Sequence, residues 1–136
     1  MNQLTNINVS VILIFNNIKY LGISDRTFSR LSDVAAALVG FIVTPFFYLS
    51  GTELDSISGA EKLKQLGIEH IIIQHTSNQH RGSDGVIPDH VSLASKLEPA
   101  PTRTFLLSPE IPHDGCLPND VFTQLNEKIK TFFDQA

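Results

Sequence analysis

The sequence predicts one α/β domain of three layers, with a mostly parallel sheet of about four to five strands between helices. Residues 9–15 are apolar except for one serine, and residues 71–73 within the run 70–74 are three isoleucines, as expected of strands covered on both faces. Gly67 separates a helical pattern from the second run, which is a common return from helix to strand in parallel sheets. The amphipathic segment after Pro118 supplies a covering helix.

Composition excludes several classes of protein. The 136 residues suit a single domain, and 42% hydrophobic with 18% charged residues is globular composition. The net charge is −4 without a run of lysine or arginine, which argues against broad binding to nucleic acid or anionic membranes but leaves a local basic patch open. Cys116, the single cysteine, cannot form an internal disulfide and fits a reducing, cytoplasmic location. Residues 34–49 are too short and too interrupted for a membrane span.

The first half of the chain predicts alternating elements. Residues 9–15 form a central strand, and Asn16 with Asn17 can close a hairpin into residues 18–23, with a plain loop as the alternative. Ser24 or Asp25 caps a helix that ends at Gly40. Residues 41–49 resemble a strand, but the proline within them cannot donate to a ladder, so this strand is expected to lie at an edge, to be bulged, or to be confined to residues 46–49.

The second half predicts a helix from about residue 52 to Gly67, followed by the strand at 70–74. Residues 75–88 form a polar loop, after which Asp89 caps a short helix. A last strand spans residues 104–107, and the final helix opens at Pro118. We expect seven side chains to be almost fully buried in the core: Ile12, Ile14, Ile71, Ile73, Phe122, Leu125 and Ile129.

The fold class itself indicates where a ligand would bind. In open α/β sheets, ligands bind beyond the carboxyl ends of the strands, so the residues after each strand are candidates. The candidate ligand-binding residues are Ser50, Thr52, His75, Ser77, His80, Arg81, Ser108 and His113. Because no carboxylate or metal constellation is evident, we expect a small polar or anionic ligand, with His75 or Arg81 supplying complementary charge.

Each candidate has an ordinary structural alternative. Ser50 or Thr52 can simply cap the following helix, and histidines on a polar loop can simply be solvated. His75 and His80 are not at the spacing of a helical metal pair, and the glycine-rich phosphate-binding motifs are absent, so no metal or cofactor is expected. Cys116 follows His113 closely but is expected to be a small buried residue rather than a nucleophile.

Part of the chain resembles the GIY-YIG nucleases. Tyr20, Leu21 and Gly22, then Ser24, and Arg30 ten residues after the tyrosine are similar to the second motif of that family. The resemblance covers at most residues 9–67 and implies a hairpin followed by helix, strand and helix. It implies that Glu61 binds the catalytic metal. The tyrosine of the first motif is absent, since residues 9–11 are Val, Ser and Val.

A third class of function is a partner-binding protein without catalytic activity, such as an inhibitor, an immunity protein or an accessory factor. Small size, acidity and the lack of a catalytic signature favour it. A binding protein for small ligands requires a concave site at the strand ends, whereas a partner-binding protein requires an exposed apolar surface. The sequence leaves open whether the protein is an enzyme.

Overall fold

A computed structural model describes residues 19–41, 45, 49, 51, 54–76 and 86–135. Within them lies a three-stranded sheet whose strands are β1 (Leu21–Asp25), β2 (Glu69–His75) and β3 (Arg103–Ser108). The strands lie in the order β1-β2-β3, and both pairs are parallel. The α/β class and the parallel sheet are therefore confirmed, with three strands in the described residues. The proposed hairpin and the strand at 9–15, with Ile12 and Ile14, lie largely outside them.

Helices connect and cover these strands. The helices are α1 (Leu31–Val39), α2 (Ser56–Gln65), α3 (Leu93–Lys96) and α4 (Asn119–Asp134), with a 3₁₀ turn at Asp89–Val91. No helix in the described part of the chain has both the length and the apolar character that a membrane crossing requires. Each predicted helix has a counterpart here, but three of them, α1, α2 and α3, begin later than predicted.

The predicted caps Ser24 and Asp25 lie in β1, so that prediction is wrong; α1 begins at Leu31 after Arg30, whose side chain makes no capping hydrogen bond. The other two helices begin later because a different residue caps them. Asp55 caps α2, and its side chain accepts a hydrogen bond from the Ser58 N–H at 3.1 Å. Burial raises the pKa of Asp55, but the hydrogen bonds from Ser58 and the charge of Arg30 outweigh this, and the net pKa is lowered. Ser92, rather than Asp89, caps α3. At the other end of α2, Gly67 adopts a φ of +67°, the conformation that ends helices.

One face of the sheet, the α4 face, packs against the last helix. Ile71 and Ile73 of β2 are 3% and 1% exposed there, as predicted. They form a cluster with Leu106 of β3 and Val121 of α4. Leu125 and Ile129 pack against this cluster but are only partly buried, and Phe122 is 53% exposed, so its predicted burial is wrong.

The opposite face, the α2 face, packs against α2 and α3. Ile72 is completely buried there among Ala60, Leu93 and Leu97. Successive residues of a strand point to opposite faces, so Ile72 lies between two residues of the α4 cluster in sequence but on the other side of the sheet. Both faces of β2 are thus covered, which is why its three central residues, 71–73, are all isoleucine.

Residues 41–49 do not form the predicted strand at the positions that the structure describes. Pro45 and Leu49 are both helical. A short apolar run cannot be assigned to a strand or a helix from periodicity alone, since neither alternation nor a helical stripe is visible in it. The prediction at these two positions is therefore wrong.

Candidate functional site

The carboxyl ends of β2 and β3 bring together two of the predicted site residues. His75 and Ser108 are register partners in the last pair of the parallel ladder. Beyond that pair the Thr76 N–H donates to the Ser108 carbonyl at 3.2 Å, which keeps the two chain segments together past the strands. Both residues are buried at this edge. Five other candidates lie outside the described residues: Ser50, Thr52, Ser77, His80 and Arg81.

His75 is oriented by a carboxylate. Its Nδ1 lies 2.8 Å from Oδ1 of Asp89, and the two side chains are 9% and 24% exposed. When Asp89 is ionised, its oxygen can only accept, so Nδ1 carries a proton and donates it. Nε2 of His75 makes no hydrogen bond with any described residue. The arrangement fixes the orientation of the imidazole.

The position of Asp89 depends on the chain segment that follows β1. Two backbone hydrogen bonds join this segment to the place where the 3₁₀ turn meets α3. The Ser29 N–H donates to the carbonyl of Val91, the last residue of the turn, at 2.9 Å, and the N–H of Leu93, the first residue of α3, donates to the Thr27 carbonyl at 2.7 Å. The Ser92 hydroxyl donates to the Asp89 carbonyl at 2.8 Å. Asp89 is therefore held beside His75 by hydrogen bonds between its neighbouring residues and the segment that follows β1.

Arg26 anchors the loop that follows β3. Its guanidinium donates to both carboxylate oxygens of Asp25, at 2.8 and 2.7 Å, and to the carbonyls of Pro112 and Gly115 at 2.9 and 2.6 Å. Arg26 itself has a φ of +49°, which is unusual for a residue with a side chain. Since β2 separates β3 from β1, a loop that leaves β3 and reaches Arg26 passes over the end of β2. The half-buried His113 lies in this loop, on the same edge as His75.

The α2 face carries a second polar group that the sequence analysis missed. Ser24 of β1 and His70 of β2 are buried, and the Ser24 hydroxyl lies 2.8 Å from His70 Nε2. Beside them the buried Arg103 donates to Glu61 at 3.1 Å and to the Glu98 carbonyl at 2.6 Å. The Arg103 hydrogen bond lowers the pKa of Glu61, although burial opposes this.

Four buried atoms on the α2 face have no hydrogen-bond partner among the residues that the structure describes: Nδ1 of His70, Nε of Arg103 and both amide atoms of Gln74. Gln74 is completely buried. The available signal was the spacing of His70, Ile72 and Gln74, which puts two polar residues on the same face of the strand as a buried isoleucine.

Two of the residues of the nuclease resemblance, Arg30 and Glu61, form ion pairs with other side chains. Arg30 pairs with Asp55 at 3.5 Å, Glu61 pairs with Arg103, and Tyr20 precedes β1 at the amino edge of the sheet. β1 pairs in parallel with β2, whereas its expected hairpin partner lies outside the described residues. The nuclease resemblance stays a prediction.

Two further groups complete the description of possible chemistry. Among the described residues, no three histidine, cysteine, aspartate or glutamate side chains are grouped so that they could hold a metal ion. Cys116 is exposed, so the expectation that it is buried is wrong.

Comparisons of the chain with known protein families, with curated proteins and with solved structures find no match.

Proposed function

We propose that the protein binds a small polar or anionic ligand at the carboxyl edge of its sheet. The observation that carries the proposal is the oriented His75, whose Nδ1 is held by Asp89 and whose Nε2 has no partner among the described residues. A neutral His75 with its proton on Nδ1 accepts a hydrogen bond at Nε2, and a protonated one donates there. The same side chain can thus bind a hydroxyl group or an anion.

The surroundings of His75 favour an anionic group when the imidazole is protonated. α4 starts on this edge, and its N-cap residue Pro118 makes no side-chain hydrogen bond to the first turn. Free backbone N–H groups and the helix dipole at such an end favour negative charge, although Asp120 in that turn opposes it. Asp25 carries negative charge at the edge too, but the bidentate pair with Arg26 offsets it. A weakly anionic or polar ligand suits this balance better than a highly charged one.

The test titrates the full chain with two probes, inorganic phosphate and acetate, while amide and histidine side-chain signals are followed by NMR. We expect saturable shifts at His75, Thr76 and Ser108. His75→Gln should weaken the binding of the responding probe about tenfold or more, because it removes a charge-assisted hydrogen bond. Asp89→Asn should weaken it less, because the imidazole remains but loses its orientation.

The matched control is His90→Gln, which removes an exposed histidine next to Asp89. It should leave binding unchanged. If neither probe shifts the three signals, or if His90→Gln weakens binding as much as His75→Gln does, the proposed site is wrong.

A specific observation supports partner binding as a second candidate function. Phe41, Pro45 and Leu49 are spaced by four residues and all are exposed, Phe41 by 85% and Leu49 by 89%. Leu38, near the end of α1, is 60% exposed as well. Isolated exposed apolar residues are ordinary, but several at helical spacing are typical of a contact surface.

Sedimentation velocity over a range of concentrations tests this surface, with a second copy of the chain as the simplest partner. We expect concentration-dependent association that is lost in the double variant Phe41→Ser, Leu49→Ser and kept in the control Leu107→Ser, which alters an exposed leucine of β3. If the chain sediments as a monomer at every concentration, self-association is not the role of these side chains.

A further inference from the structure

The amino edge of the sheet, opposite the proposed ligand site, contains an open depression. Its volume is about 380 Å³, within the range of small-ligand sites. The lining residues come from the segment before β1, the turn from α2 into β2 and the end of α4: Lys19, Tyr20, Leu66, Gly67, Ile68, Glu69, Phe132 and Gln135. No residue of the proposed ligand site is among them.

Two helices end at this depression. α2 ends at Leu66 and Gly67, where the Ile68 N–H donates back to the Leu63 carbonyl at 3.0 Å, and α4 ends next to Gln135. The last carbonyl groups of a helix lack intrahelical partners, and the helix dipole makes this end negative. The last turn of α4 contains no basic residue, whereas that of α2 contains Lys62 and Lys64, which offset the negative end of α2. The end of α4 and the carboxylate of Glu69 therefore make the depression favourable for positive charge.

The chain already places one ammonium group there. Nζ of Lys19 lies 3.4 Å from the Phe132 carbonyl and 5.4 Å from the centre of the Phe132 ring. The first contact is long for a hydrogen bond, and the second is within the range of cation–π attraction. Lys19 is thus attracted to the site without being firmly bound in it, so a competing cation can replace it.

From these contacts we propose that the depression binds an organic cation, an ammonium or guanidinium group on a short apolar stem, in competition with Lys19. The positive group would take the place of the Lys19 ammonium at the Phe132 carbonyl and ring and near Glu69. The stem would contact the apolar parts of Tyr20 and Leu66, which are 42% and 63% exposed. This site is separate from the proposed ligand site and does not depend on it.

The experiment titrates the full chain with n-butylammonium and follows backbone amide signals by NMR, with n-butyrate and n-butanol as probes that have a similar apolar stem but no positive charge. We expect saturable shifts at Gly67, Ile68, Glu69 and Gln135 for butylammonium alone. Equal binding of butyrate or butanol, or shifts confined to other residues, would overturn the proposal.

Variants then test the competition. Lys19→Met keeps the apolar stem but removes the ammonium, and should tighten butylammonium binding about two- to fivefold, the size of an exposed cation–π contact. Glu69→Gln should weaken it by a similar factor. The control Lys130→Met removes an exposed lysine of α4 that does not line the depression, and should change nothing. If Lys19→Met and Lys130→Met have the same effect, Lys19 does not occupy the site and the proposal is wrong.

Discussion

His70 shows how one residue inside an aliphatic strand changes the behaviour of the protein. It is 2% exposed, faces α2, and has the Ser24 hydroxyl as its hydrogen-bond partner. Burial, with a smaller contribution from the positive charge of Arg103, lowers the pKa of His70 to about 4. The folded protein therefore keeps this imidazole neutral at acidities at which the unfolded chain would protonate it.

The consequence is a loss of stability in acid. Between the ordinary pKa of 6.5 and the folded value of about 4, the unfolded state binds one more proton at His70 than the folded state does. The free energy of unfolding should therefore fall as the pH drops through this interval, by on the order of 3 kcal/mol from this group. Urea unfolding at a series of pH values measures it. His70→Gln should flatten the curve, whereas a variant that keeps the full slope would show that His70 is not the group responsible.

The final helix shows how the choice of face decides which residues of an apolar element are buried. Val121, Leu125 and Ile129 are spaced by four residues and pack on the sheet, whereas Phe122 lies about 100° around the helix from Val121. The sequence showed an apolar stripe but not its centre. The stripe predicted Phe122 in the core, yet the smaller Val121 is the buried residue, at 2% exposed.

A pair of alanine substitutions in α4 tests this assignment. Val121→Ala should lower the free energy of unfolding by about 1.5 kcal/mol or more, because it removes two buried methyl groups. Phe122→Ala removes far more atoms but from a half-exposed site, and should cost under about 1 kcal/mol. Thermal or urea unfolding of the two variants provides the comparison. A larger loss for Phe122→Ala would mean that the helix presents a different face to the sheet.

At the scale of the whole molecule, the sequence predicted the elements that have strong local signals. The triplet of isoleucines, Gly67 and Pro118 each act through the backbone or through burial on both sides, and each was placed correctly. It did not predict contacts between distant segments. The pair of His75 with Asp89 and the bonds from Arg26 to residues 112 and 115 depend on strand order and loop paths, which no local pattern encodes.

The parallel pairing of the strands also determines when the chain can become folded. Neither described pairing can form through a tight turn, since helices lie between the partners in both cases. Closing such long loops before any contact is gained makes parallel sheets slow to form. During synthesis the central strand, β2, leaves the ribosome before β3, its pairing partner, and α4, which covers one face of the sheet, have been made. Its row of isoleucines is then exposed to other chains, and the rate of translation relative to folding decides how much of the protein aggregates.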